Sequence, residues 1–260
     1  MMKKEKKQIL GLSIILIALF SFGIYSDPKP TIHSIGDSTM SDYGESYLNR
    51  FGGEGYPIRG WMQMMPEFVK PETVAINNAA RSGRSSKSFR EEGFWDKVKA
   101  KIQPGDYVFI QFGHNDAKED SLRHTDPQTT FKQNIRNYVE EVKAKDANPI
   151  LFTSIVRRRF DKNGKIMDFH GEYVTVIRDL ANEMNVPLVD LNKLSAELVE
   201  SYGVEKSKEL FLYIEPGRFS KLPNGKQDNA HLCVEGARKI AELAVKSMKE
   251  QNLPVAKCFL

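Results

Sequence analysis

The chain has 260 residues, 40% of them apolar and 28% charged, which suits one compact domain of the larger kind whose core needs no staples. Its formal charge is +4, but Lys3, Lys4, Lys6 and Lys7 less Glu5 place +3 of that at the very start; the remainder carries +1 and offers no basic stripe for nucleic acid. Cys233 and Cys258 are the only cysteines, so a disulfide scaffold is excluded, while a single bridge between them across the last helical pattern stays open.

The opening "MMKKEKKQILGLSIILIALFSFGIYS" has a lysine-rich start, an apolar run from Ile9 to Tyr25 and small residues at Ser21, Gly23 and Ser26. That is the layout of a secretory signal peptide over 1–26, followed by a single domain over 27–260 and export to the periplasm or the medium with no membrane span left after cleavage. An uncleaved anchor is the alternative, because the apolar run is long for a signal.

Beyond it, "TIHSI" (31–35), "TVAIN" (73–77), "YVFIQF" (107–112), "PILFTSIV" (149–156) and "VPLVDL" (186–191) read as strands. They are apolar throughout rather than alternating, as strands covered on both faces are. Helical spacing of apolar residues marks 131–145, 171–184 and 236–250 between and after them. Alternating strands and helices predict an α/β fold with a five-stranded parallel sheet and right-handed crossovers.

Ligands of such sheets sit beyond the carboxyl ends of the strands, so the residues just after each strand are the informative ones. The first strand runs into Gly36, Asp37 and Ser38, the second into "NAARSGRSSKSF" (78–89), the third into "GHND" (113–116), and "DNAH" (228–231) precedes the last helix. Each stretch has an ordinary structural reading. Ser38 and Asp228 suit helix caps, "GHND" suits a turn, and His33, His114, His124 and His170 suit structural roles. Together they supply what acyl transfer requires. Ser38 is the candidate nucleophile, His231 the candidate base, since a serine hydroxyl needs a partner to take its proton, and Asp228 the carboxylate that orients it. Ser38 N–H, Gly83 N–H and the Asn115 amide are candidate donors to an oxyanion. On this reading Ser38 opens the first turn of a helix, with its own N–H facing the oxyanion.

"GDSTM", Gly83 in "RSGRSS", "GHND" and "DNAH" resemble the four blocks of the SGNH (GDSL-type) hydrolases. "QFGHND", "FTSIVRRRFDKNGKI", "HGEY" and "EPGRFSKLPNGKQDNAH" narrow the resemblance to the rhamnogalacturonan acetylesterases of carbohydrate esterase family twelve, over nearly all of 27–260. The resemblance implies a flavodoxin-like, three-layer αβα sandwich, the Ser38, Asp228 and His231 triad, Gly83 and Asn115 as oxyanion donors, and no cofactor or metal. It also implies an acetylated polysaccharide as the partner. Ala230 and Leu232 depart from the family's DNTHF block, and "GWMQMM" (60–65) departs from a GWGQ-like stretch, which puts substrate fit near His231 and Trp61 in question.

The expected activity is removal of acetyl groups from rhamnogalacturonan. An acetylxylan-type esterase, a lysophospholipase or thioesterase, and a non-catalytic glycan-binding domain are the alternatives. Arg84, Arg157, Arg158, Arg159 and Trp61 are the expected substrate-binding residues, the arginines because their planar fork matches a uronate carboxylate.

Overall fold

The computed structural model describes residues 29–260, and the segment read as a signal peptide lies outside the described residues. Five parallel strands, β1 (Thr31–Gly36), β2 (Ala75–Asn78), β3 (Tyr107–Gln111), β4 (Asn148–Phe152) and β5 (Leu188–Val189), form one sheet in the order β2-β1-β3-β4-β5. Successive side chains point to opposite faces of a strand, and both faces here are apolar. Ile32, Phe109, Ile150 and Phe152 enter one buried cluster, while Ile35, Val108, Ile110 and Leu151 enter the other. That is the physical reason the strands read as continuous apolar runs.

Each face is covered by helices. α4 (Lys132–Lys143) buries Ile135, Tyr138, Val139 and Val142 against the second cluster, joined there by α2 (Ser86–Glu91), α3 (Phe94–Lys99) and α5 (Glu172–Glu183). The long α6 (Leu191–Lys206), α7 (Val234–Glu250) and a 3-10 helix over Trp61–Phe68 cover the first. The result is the three-layer αβα sandwich. The first helix, α1 (Glu45–Phe51), is short and buries no residue completely.

The strand order reverses at β1, because β2 lies on one side of it and β3 on the other. Connections leaving β1 and β3 therefore diverge and open a crevice at the carboxyl edge. The fold places the residues after β1, β2 and β3 around that crevice.

Two strands lie outside this plan. β6 (Phe211–Ile214) and β7 (Lys226–Leu232) pair antiparallel, with a register break between the pairings Phe211↔Leu232 and Leu212↔Asp228. "DNAH" thus belongs to a bulged strand rather than to a helix start, and α7 begins only at Val234. A polar strand of this kind has no apolar alternation to announce it; pairing with "FLYI" creates it. A separate apolar cluster of Tyr43, Tyr56, Ile58, Leu212 and Ile214 seats the hairpin on the segment that follows β1. Cys233 and Cys258 are both free thiols, so the bridge left open by the sequence is not formed.

α7 packs so tightly against the chain before β6 that a Cβ on Gly236 would stand 1.8 Å from the Leu210 carbonyl oxygen. Helix propensity favours alanine over glycine by about 1 kcal/mol, but overpacking costs about 1–3 kcal/mol or more. Gly236→Ala is therefore expected to lower stability in urea unfolding; an unchanged or raised midpoint would contradict this packing.

Candidate active site

Gly36 ends β1 where a Cβ would meet the Gln111 carbonyl oxygen at 2.7 Å and Met40 Sδ at 2.8 Å, so only glycine lets the chain turn here. Asp37 closes the turn. Its carbonyl oxygen accepts from the N–H groups of Met40 and Ser41, and its Oδ1 accepts from Thr39 N–H at 2.8 Å and Thr39 Oγ1–H at 2.9 Å. No helix follows, contrary to the sequence expectation for Ser38. The carbonyls of Thr39 and Ser41, which a helix would use, accept instead from Trp61 and Gly60 N–H, and α1 starts only at Glu45. Ser38 is 8% exposed, and its carbonyl accepts from Tyr43 Oη–H at 2.7 Å, which fixes the turn from below.

The β6–β7 hairpin brings the other end of the chain to this turn. Asp228 Oδ1 accepts from the N–H groups of Ala230 and His231, at 2.9 and 3.0 Å, folding the bulge around its own carboxylate. Asp228 Oδ2 lies 2.8 Å from His231 Nδ1, and His231 Nε2 lies 3.1 Å from Ser38 Oγ. A carboxylate only accepts, so Nδ1 carries the proton and bare Nε2 faces the serine hydroxyl. Burial pushes the Asp228 carboxyl up, but the His231 hydrogen bond and charge, with the two N–H donors, outweigh it and hold it well below the ordinary range. Lys226, two residues along the same strand and so on the same face, places Nζ 3.5 Å from Asp228 Oδ2.

The loops after β2 and β3 complete the crevice. Arg81 N–H donates to the Gly36 carbonyl, so the 80–84 loop runs beside the Ser38 turn; Gly83 within it has φ +81°. Asn115 is buried and donates one Nδ2 hydrogen to the Arg84 carbonyl at 3.0 Å, leaving its other amide hydrogen without a partner among the described residues. Asp116 braces both loops, accepting from Gly113 N–H, from Ser86 N–H and Oγ–H and from Thr125 Oγ1–H. Burial raises its pKa to about 6 against these donors.

The expected substrate-binding residues divide. Trp61 is wholly buried, with Nε1–H donating to Gln111 Oε1 at 2.6 Å and its ring against Phe152, so it is a core residue. Arg158 is buried too. It donates to Ser207 Oγ, Tyr213 Oη and Asn229 Oδ1 and so holds the β7 bulge from behind. A buried guanidinium needs acceptors, and the hairpin supplies them. Arg84 lies at the crevice but is paired with Glu92 at 2.6 Å. Arg157 and Arg159 lie over the Phe169 ring, at 3.9 and 5.1 Å from its centroid, and Arg157 is near enough to Asp37 and Asp228 to feel their charges.

The sequence reading pointed to the loop after β2 but did not bring α1 to the crevice. A cavity of about 680 Å³ beside the Ser38 turn is lined by Tyr47, Arg50 and Phe51 of α1 and by Arg81, Arg84 and Phe94. Arg50 and Arg81 make no ion pair among the described residues. The reading also took His114 and His170 one at a time, although both stood in quoted motifs. They are buried and joined, His170 Nε2 to His114 Nδ1, at 2.8 Å.

A serine hydroxyl hydrogen-bonded to an imidazole that a carboxylate orients, beside donors on two neighbouring loops, is an arrangement able to perform acyl transfer. Residues 34–212 match the GDSL-like Lipase/Acylhydrolase family. The rhamnogalacturonan acetylesterase RhgT of Bacillus subtilis strain 168 is 38% identical over 220 residues, which cover 85% of this chain and 90% of that protein. The crystal structure of YxiM from Bacillus subtilis aligns at 30% identity with a TM-score of 0.73 over 87% of this chain, and this chain spans 58% of it. The acetylxylan esterase Axe2 of Geobacillus stearothermophilus shares the fold, with a TM-score of 0.59 at 17% identity over 86% of this chain and 96% of its own.

Burial, with the charge of Arg157 behind it, lowers the pKa of His170 to about 4. Native His170 therefore stays neutral while the unfolded chain takes up a proton below its ordinary value near 6.5, so the stability it supports is present above that pH and is lost as pH falls towards 4. His170→Gln removes this liability. Between pH 7 and pH 4 the variant should lose less stability than the wild type, by on the order of 3 kcal/mol. Parallel losses in urea unfolding at the two pH values would contradict the assignment.

Proposed function

The chain belongs to the GDSL-like Lipase/Acylhydrolase family and is a carboxylic ester hydrolase, and on that premise we propose that it is a serine esterase removing O-acetyl groups from plant cell-wall polysaccharide. The observation that carries the proposal is the run of contacts from Ser38 Oγ through His231 to Asp228, at 3.1 and 2.8 Å. In the first half-reaction Ser38 Oγ attacks the acetyl carbonyl while His231 Nε2 takes its proton. Asp228 stabilises the imidazolium that forms. The carbonyl oxygen becomes negative and is met by Ser38 N–H, Gly83 N–H and the free Asn115 amide hydrogen. Collapse expels the sugar oxygen, which receives the proton from His231. Water then repeats the sequence on acetyl-Ser38, releasing acetate and restoring the serine.

Acetylated rhamnogalacturonan is the substrate we favour. The identity with the RhgT relative supports it, and so does the cleft, where Arg50 lies over the Phe51 ring and Arg81 over the Phe94 ring. Aromatic faces suit pyranose rings, and uncommitted guanidinium groups suit uronate carboxylates. The same charged lining speaks against a long acyl chain, hence against a lysophospholipase or thioesterase. Export through the N-terminal segment fits a polymeric substrate that lies outside the cell.

Ser38→Ala should leave the fold intact and lower ester hydrolysis by about a thousandfold or more. Retention of a tenth of the wild-type rate would sink the nucleophile assignment. Asn115→Ala should cost about a hundredfold in kcat at nearly constant KM. A raised KM at unchanged kcat would make Asn115 a binding residue instead.

For the substrate, acetylated rhamnogalacturonan fragments should be preferred over acetylated xylan fragments of equal length, and added salt should shrink the preference. Replacing Arg50 and Arg81 together by glutamine should erase it while sparing a small neutral acetyl ester. Equal efficiency on both polymers at low salt would favour the acetylxylan reading.

A further inference from the structure

Asn115 is held between two anchors. On one side Asp116 accepts from Gly113 N–H at 3.1 Å and ties the turn to Ser86 and Thr125. On the other, His114 reaches back to His170 at the entrance to α5, ring centroids 4.4 Å apart. The backbone leaves little slack between them. Gly113 sits at φ +137°, and a Cβ there would stand 2.7 Å from Ser154 Oγ. The Asn115 amide already spends one hydrogen on the Arg84 carbonyl, so rotation of its peptide would move the other away from the crevice.

We propose that the bond between His114 and His170 is a positioning device for Asn115, a neutral imidazole pair that aims its free amide hydrogen at the oxyanion. The proposal rests on the serine-esterase reading above. One imidazole must donate to the other, so the bond needs a bare nitrogen on one facing ring and is broken when both rings are doubly protonated. The surroundings go further and keep both rings neutral. Burial comes first, and the charges facing the pair are mostly positive: Arg157 from the loop after β4, Lys118 from the loop after β3, and His231 when it is protonated. Asp168, on the loop that carries His170, pulls the other way without prevailing. Neutrality also matters to the chemistry, because a cation at His114 would oppose the imidazolium that His231 must become in each half-reaction. His114 Nε2 is buried and finds no protein partner among the described residues, so the Nδ1 bond to His170 is the polar contact that fixes this ring.

The test compares two replacements at His170. Glutamine places its amide near where Nε2 stood and can keep a hydrogen bond to His114, whereas leucine fills the space and cannot. His170→Leu should lower kcat about tenfold with KM nearly unchanged, and His170→Gln should stay within about threefold of wild type. In an Asn115→Ala background His170→Leu should cost less than about twofold, because the group it aims is gone. Full additivity in that double-mutant cycle, or equal losses in the leucine and glutamine variants of intact fold, would overturn the proposal. Nitrogen NMR of the imidazoles reads the pair without reference to activity: neutral rings sharing one N–H at pH 6 are expected, and a doubly protonated His114 or His170 there would refute it. A failed esterase reading would instead show as absent hydrolysis by the wild type with this signature intact.

Discussion

The arrangement depends on one contact between the ends of the chain, His231 Nε2 to Ser38 Oγ at 3.1 Å across 193 residues of sequence. Nothing local enforces it. The serine is fixed by a turn at the end of β1 and the histidine by a bulge in β7, and these strands belong to different sheets. What joins them is apolar packing under the hairpin, helped by Arg59 N–H donating to the Leu232 carbonyl. Burial of that small cluster converts two independent loops into one reactive geometry.

Electrostatics explain why so many buried polar groups surround the pair. Asp37 is fully buried, with one carboxylate oxygen bound to Thr39 and the other without a protein partner among the described residues; burial pushes it up, while Thr39 and the charges of His231 and Arg157 pull it down. Arg158 spends its guanidinium behind the bulge, and Asp116 spends its carboxylate on the loops that carry Gly83 and Asn115. Such groups are costly to bury unpaired, and once satisfied they fix loops that apolar contacts alone would leave loose. The crevice beside α1 is built differently, from a short exposed helix and from Arg50 and Arg81, which have no carboxylate partner among the described residues.

Much of this was legible in the sequence, for physical reasons that also mark the limits. β1, β3 and β4 are covered on both faces and announce themselves as apolar runs, while β5 forms only two residues of ladder within a longer run. α4, α5 and α7 show helical spacing because each buries one face. The residues after the strands pointed to the crevice because sheet topology dictates where crevices form. The polar strand β7 was hidden because pairing and the turn at Asp228 create it, with no apolar pattern. Trp61 and Arg158 show the same limit at the level of single residues: an aromatic and a guanidinium near a site in sequence became core and scaffold once Gln111 and Asn229 met their polar atoms. Arg81 lies in the loop after β2 to which the sequence pointed, whereas Arg50 escaped notice because α1 carries no strong periodic signal and its place at the crevice appears only when it faces the 80–84 loop.

The central claim is that an acyl group passes through Ser38. Quenching the enzyme in acid during turnover of an activated acetyl ester, then mapping the peptides by mass spectrometry, reads this directly. The account predicts an acetyl group on Ser38 during turnover, absent from Ser38→Ala. Acetylation confined to another residue during productive turnover, or undiminished turnover by Ser38→Ala, would contradict it.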